Sequence, residues 1–173
     1  RHLDTEQLDD CLDPARFRSL RELSLIFGDA HFSRSSVHVL STVTALDFCT
    51  NYQTEADLSA LIKVFPKLEF LELDQQSLLE MKALLFFGQH AHPELRELRY
   101  TCPLGANTVD ALTLYQLLAS NPKLGRIGLA FGVIDVHEID RLRRTWDRHR
   151  SRFPTRPVVL ALQNEAHWID VVV

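Results

Sequence analysis

One apolar phrase recurs along the chain, and it restricts the possible folds more than any other feature. The clearest copy is FPKLEFLEL at residues 65–73, in which Leu68, Leu71 and Leu73 have the spacing Leu-x-x-Leu-x-Leu. Four further copies are FRSLRELSL (17–25), LSTVTALDF (40–48), HPELRELRY (92–100) and NPKLGRIGL (121–129), and a degenerate copy is RPVVLAL (156–162). Recurrence of one pattern along a chain indicates a repeat architecture, in which each unit packs on its neighbours.

The first apolar positions of successive phrases lie 23, 25, 27, 29 and 33 residues apart. Each phrase is short and partly alternating, which predicts a strand of about four to six residues. Segments with helical spacing lie between the phrases, and strands that run parallel need such a crossover. The pattern predicts one parallel sheet with helices on its outer side and a final strand, WIDVVV, at its edge. The parallel strands are expected near 21–26, 44–49, 69–74, 96–101, 125–130 and 158–163.

These phrases, with their Pro-Lys-Leu and Pro-Glu-Leu entries, resemble the leucine-rich-repeat superfamily in its ribonuclease-inhibitor-like form. Within it they are most similar to the repeat regions of fungal F-box proteins. The resemblance implies an α/β right-handed solenoid, a horseshoe fragment with a concave parallel sheet and convex helices. Residues 1–173 would then form a single domain of about six repeats.

The chain departs from the family at one position in five of its six units. The family's usual Asn or Cys, eight residues after the first Leu, is present only as Asn51. The other units have Gly28, Gln76, Pro103, Gly132 and Glu165 at this position. An asparagine ladder is therefore not expected to be the main tie between units, and the helices should contribute more of the packing.

Local signals place the helices between the strands. Residues 2–13 predict the helix of a unit whose own strand is missing, which suggests a fragment of a longer protein. Thr54 is expected to cap a helix over 55–65, with Asp57 three residues later. Gly88 is expected to end the next helix. The helix over 108–120, with Thr108 as its cap, is expected to align Leu112, Tyr115, Leu118 and Ala119 on one face.

Composition argues against several function classes. Nineteen basic and 23 acidic residues give a net charge of −4, which does not favour nucleic acid or a membrane surface. No apolar run approaches the ~20 residues that a membrane helix needs. Three widely spaced cysteines predict no disulfide framework and favour an intracellular location, cytoplasmic or nuclear.

Motifs of catalysis and metal binding are missing from the sequence. The chain has no Gly-x-Ser-x-Gly, no glycine-rich phosphate loop, no Cys-x-x-Cys and no His-Glu-x-x-His. His90 and His92 precede Leu95 at a predicted helix-to-strand turn, where polar residues are expected. We therefore predict no enzyme, no metal site and no cofactor.

The predicted strands place a charged and aromatic patch on the concave face. Residues between the buried leucines point out of the sheet toward solvent. The candidate partner-binding residues are Asp47, Phe70, Glu72, Asp74, Glu97, Arg99 and Arg126. An aromatic anchor between charges of both signs is typical of the centre of a protein interface. The alternative is that these charges pair across adjacent strands and only solvate the sheet.

The sequence therefore predicts an interaction module that binds a protein partner on its concave face. Resemblance to F-box proteins implies substrate recognition for a ubiquitin ligase, but the chain has no Leu-Pro and so no visible F-box. One alternative is a GTPase-activating or other regulatory leucine-rich-repeat protein with Arg99 or Arg126 as a finger arginine. Another is nucleic-acid binding through RLRRTWDRHRSR (141–152), although Asp140 and Asp147 are interleaved there and favour a solvated helix face. A structural spacer is the third.

Overall fold

Seven strands form one sheet in the same order as they occur along the chain. The computed structural model describes residues 18–27, 32, 38–50, 54–75, 82–101, 111–130, 136–148, 158–164 and 167–172. The strands are β1 Glu22–Phe27, β2 Ala45–Thr50, β3 Phe70–Gln75, β4 Glu97–Thr101, β5 Arg126–Ala130, β6 Val159–Asn164 and β7 His167–Val172. Five parallel pairings join β1 to β6, and β7 is antiparallel to β6 at the edge. The predicted α/β class, parallel sheet and edge strand are confirmed.

The predicted strands agree with the observed ones to within about one residue, and each observed strand starts one residue later. The residue before each strand is already bonded to the next strand, because its carbonyl accepts a hydrogen bond from the first residue of that strand. Arg21 O accepts from Ala45 N at 3.0 Å, and Glu69 O accepts from Glu97 N at 3.0 Å. This bond recurs at the same position between successive strands as far as β6, where Val159 N donates to Gly125 O at 2.9 Å.

Four helices alternate with the strands in the part of the chain that the structure describes. They are α1 Glu55–Val64, α2 Lys82–Gln89, α3 Ala111–Ser120 and α4 Val136–Arg148. Neighbouring helices pack side by side, α1 on α2, α2 on α3 and α3 on α4. No helix within these described ranges is long and apolar enough to cross a membrane.

The predicted start of α1 is confirmed in detail. The Thr54 hydroxyl accepts from Asp57 N at 3.2 Å, and the Asp57 carboxylate accepts from Thr54 N at 3.0 Å. This capping box satisfies two backbone N–H groups that the first turn of a helix leaves without a partner. Asp57 is itself buried, at 1% exposure, so the box also fixes how α1 enters the core.

One face of the sheet is buried beneath helices. Alternate strand residues form this face, because successive side chains of a strand point to opposite sides: Leu25, Leu46, Phe48, Leu71, Leu73, Leu98, Tyr100, Ile127 and Leu129. Helix residues complete the same core: Leu58, Leu61, Leu84, Phe87, Leu114 and Leu117. Each fully buried side chain contributes roughly 1.5–3 kcal/mol relative to an exposed one. The opposite face is left to solvent.

Two predictions about the helices are wrong. Gly88 does not end α2, which continues to Gln89. A Cβ at Gly88 would lie 3.5 Å from Cβ of Gln116, so the glycine lies where α2 and α3 come close together. On α3, Leu112 is 61% exposed and Ala119 is exposed, whereas Leu114 and Leu117 are buried. The helix is therefore rotated relative to the predicted stripe, and of its members Leu118 is buried and Tyr115 half-buried.

Two polar side chains, His92 and Asn121, are buried at the corners where a helix leads into a strand. His92 Nε2 lies 3.0 Å from Phe65 O, and Asn121 Oδ1 accepts from His92 N at 2.8 Å. Asn121 Nδ2 donates to Phe87 O and Leu117 O, both at 2.8 Å. Phe65, His92 and Asn121 each begin a recurring phrase, three residues before its first Leu, and we call them the corner ladder. His92 is thus not the surface turn residue that the sequence suggested.

The corner ladder joins successive strand–helix segments through polar groups. The predicted absence of a ladder after the strands concerns Asn51 and its equivalents, which lie outside the described residues. The predicted helix at 2–13 and the predicted cap Thr108 also lie outside them. The contribution of the helices to packing is visible in the α2–α3 and α3–α4 contacts.

Candidate functional site

The solvent face of the sheet carries three rows of side chains, fixed by the parallel register. The first row is Glu22, Ala45, Phe70, Glu97, Arg126 and Val159. The second is Ser24, Asp47, Glu72 and Arg99, and the third is Ile26, Cys49, Asp74, Thr101 and Ala130. We call these rows the open face. All seven predicted site residues lie on it, and the register brings them together on four successive strands, β2 to β5.

Arg99 is the centre of a contact network on β3, β4 and β5. Its guanidinium carbon lies 5.0 Å from the ring centroid of Phe70. Its Nε contacts Glu97 Oε1 at 2.8 Å, and its Nη1 lies 3.7 Å from Glu72 Oε2. Arg126 Nε lies 3.4 Å from the same Glu97 oxygen. We call these five residues the Arg99 cluster.

Partial burial makes the Arg99 cluster more than a set of surface charges. The side chains of Arg99 and Glu72 are about one-third exposed, at 34% and 32%. An exposed ion pair contributes about 0–1 kcal/mol, but several charges that share partners hold one geometry better than an isolated pair. A cation over an aromatic ring adds about 0.5–1 kcal/mol at such a site. The ring of Phe70 is therefore held in place on the open face.

Glu72 lies where carboxylates are concentrated. Burial raises its pKa, Arg99 opposes the rise, and Asp47, Asp74 and Glu97 add to it. Glu72 therefore binds a proton more readily than an exposed glutamate, because both its surroundings and its neighbours disfavour a further negative charge. Glu72 therefore lies among three other carboxylates, and Arg99 is the cation that lowers its pKa.

The carboxylates nearer β1 have a different environment. Asp47 accepts a hydrogen bond from Ser24 Oγ at 2.9 Å, and the Cys49 thiol lies 3.8 Å from Asp74 Oδ2. Among the described residues, no cation lies within ion-pair distance of Glu22, Asp47 or Asp74. We call these three residues the acidic side of the open face. The alternative that the charges pair across strands therefore holds for the charged members of the Arg99 cluster. Among the described residues it does not hold for Glu22, Asp47 and Asp74.

Sequence reasoning missed a depression at the acidic side. It has a volume of about 250 Å³, and its rim and floor include Glu22, Ser24, Ala45, Asp47 and Phe70. Ala45 and Ser24 are the short side chains among longer neighbours, and this difference in length makes the hollow. The sequence contains a signal for this depression, because Ala45 and Ser24, two short residues, occupy outward positions on adjacent strands.

Metal-ligating side chains are not clustered within the described residues. Within the described ranges, no group of three or more His, Cys, Asp and Glu side chains could hold a metal ion. Cys49 is half-buried, and its thiol lies 3.8 Å from Asp74 Oδ2.

The arginine-rich helix α4 lies away from the open face, against α3. Arg141, Arg144, Thr145 and Arg148 line a depression of about 300 Å³ on it. Asp140 takes part as expected, since its Oδ1 lies 3.8 Å from Arg143 Nη1 and its backbone carbonyl accepts from Arg144 Nε at 3.2 Å. The helix thus combines partly paired arginines with an exposed polar surface.

Comparison with known proteins does not connect the chain to any of them. No protein-family model, no curated protein sequence and no solved structure matches it. The functional argument therefore depends on the geometry of the open face.

Proposed function

We propose that this chain is a leucine-rich-repeat interaction module that binds a partner protein through its open face. The repeat assignment is supported by two hydrogen bonds that recur from unit to unit. The bond between consecutive strands described above is one. The other closes a turn before each strand, from Val43 N to Leu40 O, Leu68 N to Phe65 O, Leu95 N to His92 O and Leu124 N to Asn121 O. Equivalent bonds at equivalent positions are what stacked copies of one unit produce.

The observation that carries the binding proposal is the Arg99 cluster beside the acidic side. An aromatic ring held by a stacked arginine loses little conformational freedom when a partner covers it, and this lowers the cost of binding. Aromatic and arginine side chains at the centre of an interface contribute most of its binding energy. Carboxylates that have no ion-pair partner among the described residues, at the edge of such a centre, add charge selectivity and accelerate association.

Substrate recognition for an F-box-type ubiquitin ligase is the specific form of this function that the sequence resemblance supports. In that form the open face holds the substrate, and an F-box upstream of Arg1 recruits the ligase. The geometry supports the first half of this proposal, because the cluster and the acidic side lie on one continuous surface.

The GTPase-activating alternative is less compatible with the contacts of its two candidate arginines. A finger arginine must extend into the partner's active site and place its charge on a phosphoryl group. Arg99 instead stacks on Phe70 and contacts Glu97 at 2.8 Å, and Arg126 shares the same carboxylate at 3.4 Å. Reaching a phosphate would break these contacts and leave the carboxylates facing the anion.

Nucleic-acid binding through α4 has one observation in its favour, the depression shared by Arg141, Arg144 and Arg148. Binding of that kind weakens steeply with salt, because each phosphate contact releases counterions. A protein interface centred on Phe70 depends much less on salt, since its central energy comes from burial of an aromatic side chain. Salt dependence therefore separates the two functions.

The test is capture of a partner from cell extract on the immobilised chain. We expect Phe70→Ala and Arg99→Glu each to abolish capture, because truncating a central anchor costs about 2 kcal/mol or more, roughly thirty-fold in affinity. The matched control is the joint replacement of Arg143, Arg144 and Arg148 by alanine, which should leave capture intact. Circular dichroism of each variant confirms that it is folded.

The reverse result would overturn the proposal. Capture that is lost only in the α4 variant and recovers at lower salt would assign the activity to nucleic acid. Absence of capture under all conditions would leave a structural spacer.

A further inference from the structure

We propose that the depression on the acidic side binds an arginine side chain of the partner, with its aliphatic stem over Ala45 and against Phe70 and its guanidinium between Glu22 and Asp47. This inference rests on the proposed function, since it names the chemistry that the open face recognises. The observations that carry it are the shape of the depression, the spacing of its two carboxylates and the charge that surrounds it.

The shape of the depression suits a long, narrow side chain. Ala45 on β2 and Ser24 on β1 form the floor of the depression, and the ring of Phe70 on β3 borders it on one side. A methyl group, the backbone of two strands and an aromatic ring make a mainly apolar trough. The aliphatic stem of arginine packs favourably on such a surface while its charged end remains in water.

The register places the two carboxylates at neighbouring positions of the open face. Glu22 pairs with Ala45, and Ser24 pairs with Asp47, so Glu22 and Asp47 are diagonal neighbours on adjacent parallel strands. With strands ~4.8 Å apart and two residues spanning ~6.6 Å along a strand, the Cα atoms of such diagonal neighbours are roughly 8 Å apart. The hydrogen bond from Ser24 Oγ to Asp47 Oδ2, 2.9 Å long, orients that carboxylate. A planar guanidinium has donors on several edges and can serve both acids together, which the compact lysine ammonium does less well.

Charge complementarity selects a cation over a neutral or acidic group. Glu22, Asp47 and Asp74 have no ion-pair partner among the described residues, and Glu72 lies beside them. Arg99 approaches the ring of Phe70 from β4, whereas the depression borders the ring from β2. The β2 side of the ring therefore faces the aliphatic stem of the bound arginine, which packs on it through apolar contact.

The experiment is a titration of the ¹⁵N-labelled chain with the peptide acetyl-Ser-Gly-Arg-Gly-Ser-amide, followed by amide chemical shifts. We expect saturable shifts confined to the amides of residues 22–24, 45–47 and 70, with a dissociation constant of about 1 mM, as suits one anchored side chain. The same peptide with citrulline, the uncharged isostere of arginine, should leave these amides unmoved. Salt should weaken the binding, since the pairs are exposed.

Two substitutions and one control locate the contact. Glu22→Gln and Asp47→Asn should each weaken the arginine peptide by roughly two- to five-fold, the range of a single exposed ion pair. Glu55→Gln, an equal change of charge at an exposed position on α1, should leave the affinity unchanged. Dispersion of the amide spectrum shows that each variant is folded.

Three results would overturn the inference: no saturable shift, an equal response to the citrulline peptide, or indifference to both substitutions. An equal affinity for the same peptide with lysine in place of arginine would overturn the assignment to arginine. The inference and the proposed function fail separately. If capture is lost in Phe70→Ala and Arg99→Glu but the affinity for the partner is unchanged in Glu22→Gln and Asp47→Asn, the open face binds a partner and the depression does not take its arginine.

Discussion

Replacement of Asn121 by alanine tests the corner ladder, which carries the connection between successive units. The side chain of Asn121 is 0% exposed and makes three hydrogen bonds of 2.8 Å, to His92 N, Phe87 O and Leu117 O. Asn121→Ala removes all three. The amide of His92 is then left buried without its acceptor, and no water can replace it unless the corner opens.

The expected loss of stability follows from these contacts. Three hydrogen bonds at about 1 kcal/mol each, with a further cost for the unsatisfied N–H of His92, lower the free energy of unfolding by about 3–5 kcal/mol. Domains of this kind are stable by about 5–15 kcal/mol, so the loss is a large share. In urea, with a slope near 2 kcal/mol per M, the unfolding midpoint should fall by about 1.5 M or more.

The assay is urea unfolding followed by circular dichroism, with Gln116→Ala as the matched control. Gln116 is an exposed amide residue on α3, close to Asn121 in sequence, and its replacement should change stability by no more than about 0.5 kcal/mol. A loss below about 1 kcal/mol for Asn121→Ala would refute the argument, since one net hydrogen bond alone contributes that much.

Three further perturbations test other parts of the account. Burial lowers the pKa of His92, against weaker opposing effects of the Phe65 carbonyl and Glu94, so the folded state takes up its proton less readily than the unfolded chain. The contribution of His92 to the free energy of unfolding should therefore be fully present above the ordinary histidine pKa of about 6.5 and fall as the pH drops below it. In His92→Gln this contribution to the pH dependence of the urea midpoint, measured between pH 7 and 5, should be missing. Leu71→Ala, at a side chain 1% exposed, should cost about 2–5 kcal/mol, whereas Glu72→Ala on the open face should change the unfolding free energy by no more than about 0.5 kcal/mol; equal effects would mean that the strand faces are assigned backwards. Gly88→Ala should raise the thermal midpoint, because its Cβ meets only ordinary contacts at 3.5 Å and alanine is favoured over glycine in a helix by up to about 1 kcal/mol; a drop would show that α2 and α3 have no room for a methyl group.

The sheet was predictable because it depends on a period of two within each phrase and on the recurrence of the phrase. Both are visible as letters in the sequence, and together they determine which residues face each other on neighbouring strands. The seven candidate residues of the open face were thus predicted one by one. The pairing of Phe70 with Glu97, and of Glu72 with Arg99, is one example.

The corner ladder was not predictable in the same way. Its positions are filled by Phe65, His92 and Asn121, three residue types with no common signature. A polar residue at a turn is ordinarily exposed, and only the packing of one unit on the next buries His92 and Asn121. Asn121 lies in NPKL, the entry to a recurring phrase, so a register argument applied to the turns would have singled it out.

The rotation of α3 and the pairing of charges depend on information that a single sequence does not contain. Leu112 is exposed because the packing of α3 on α2, close to Gly88, fixes which side of the helix faces the sheet. The pairing of the charges depends on side-chain conformations. Glu97 contacts both Arg99 and Arg126, whereas Asp47 accepts a hydrogen bond from the hydroxyl group of Ser24. The sequence shows which strand residues are acidic and which are basic, but it does not show which of them form ion pairs.

Site-specific photo-crosslinking tests the central claim, that the open face is the binding surface, most directly. A benzoylphenylalanine placed at Phe70, which keeps an aromatic side chain there, should give a covalent adduct with the captured partner. The same probe at Leu112, an exposed position on α3 at 61%, should give none. An adduct from Leu112 together with no adduct from Phe70 would place the partner on the helices and contradict the account.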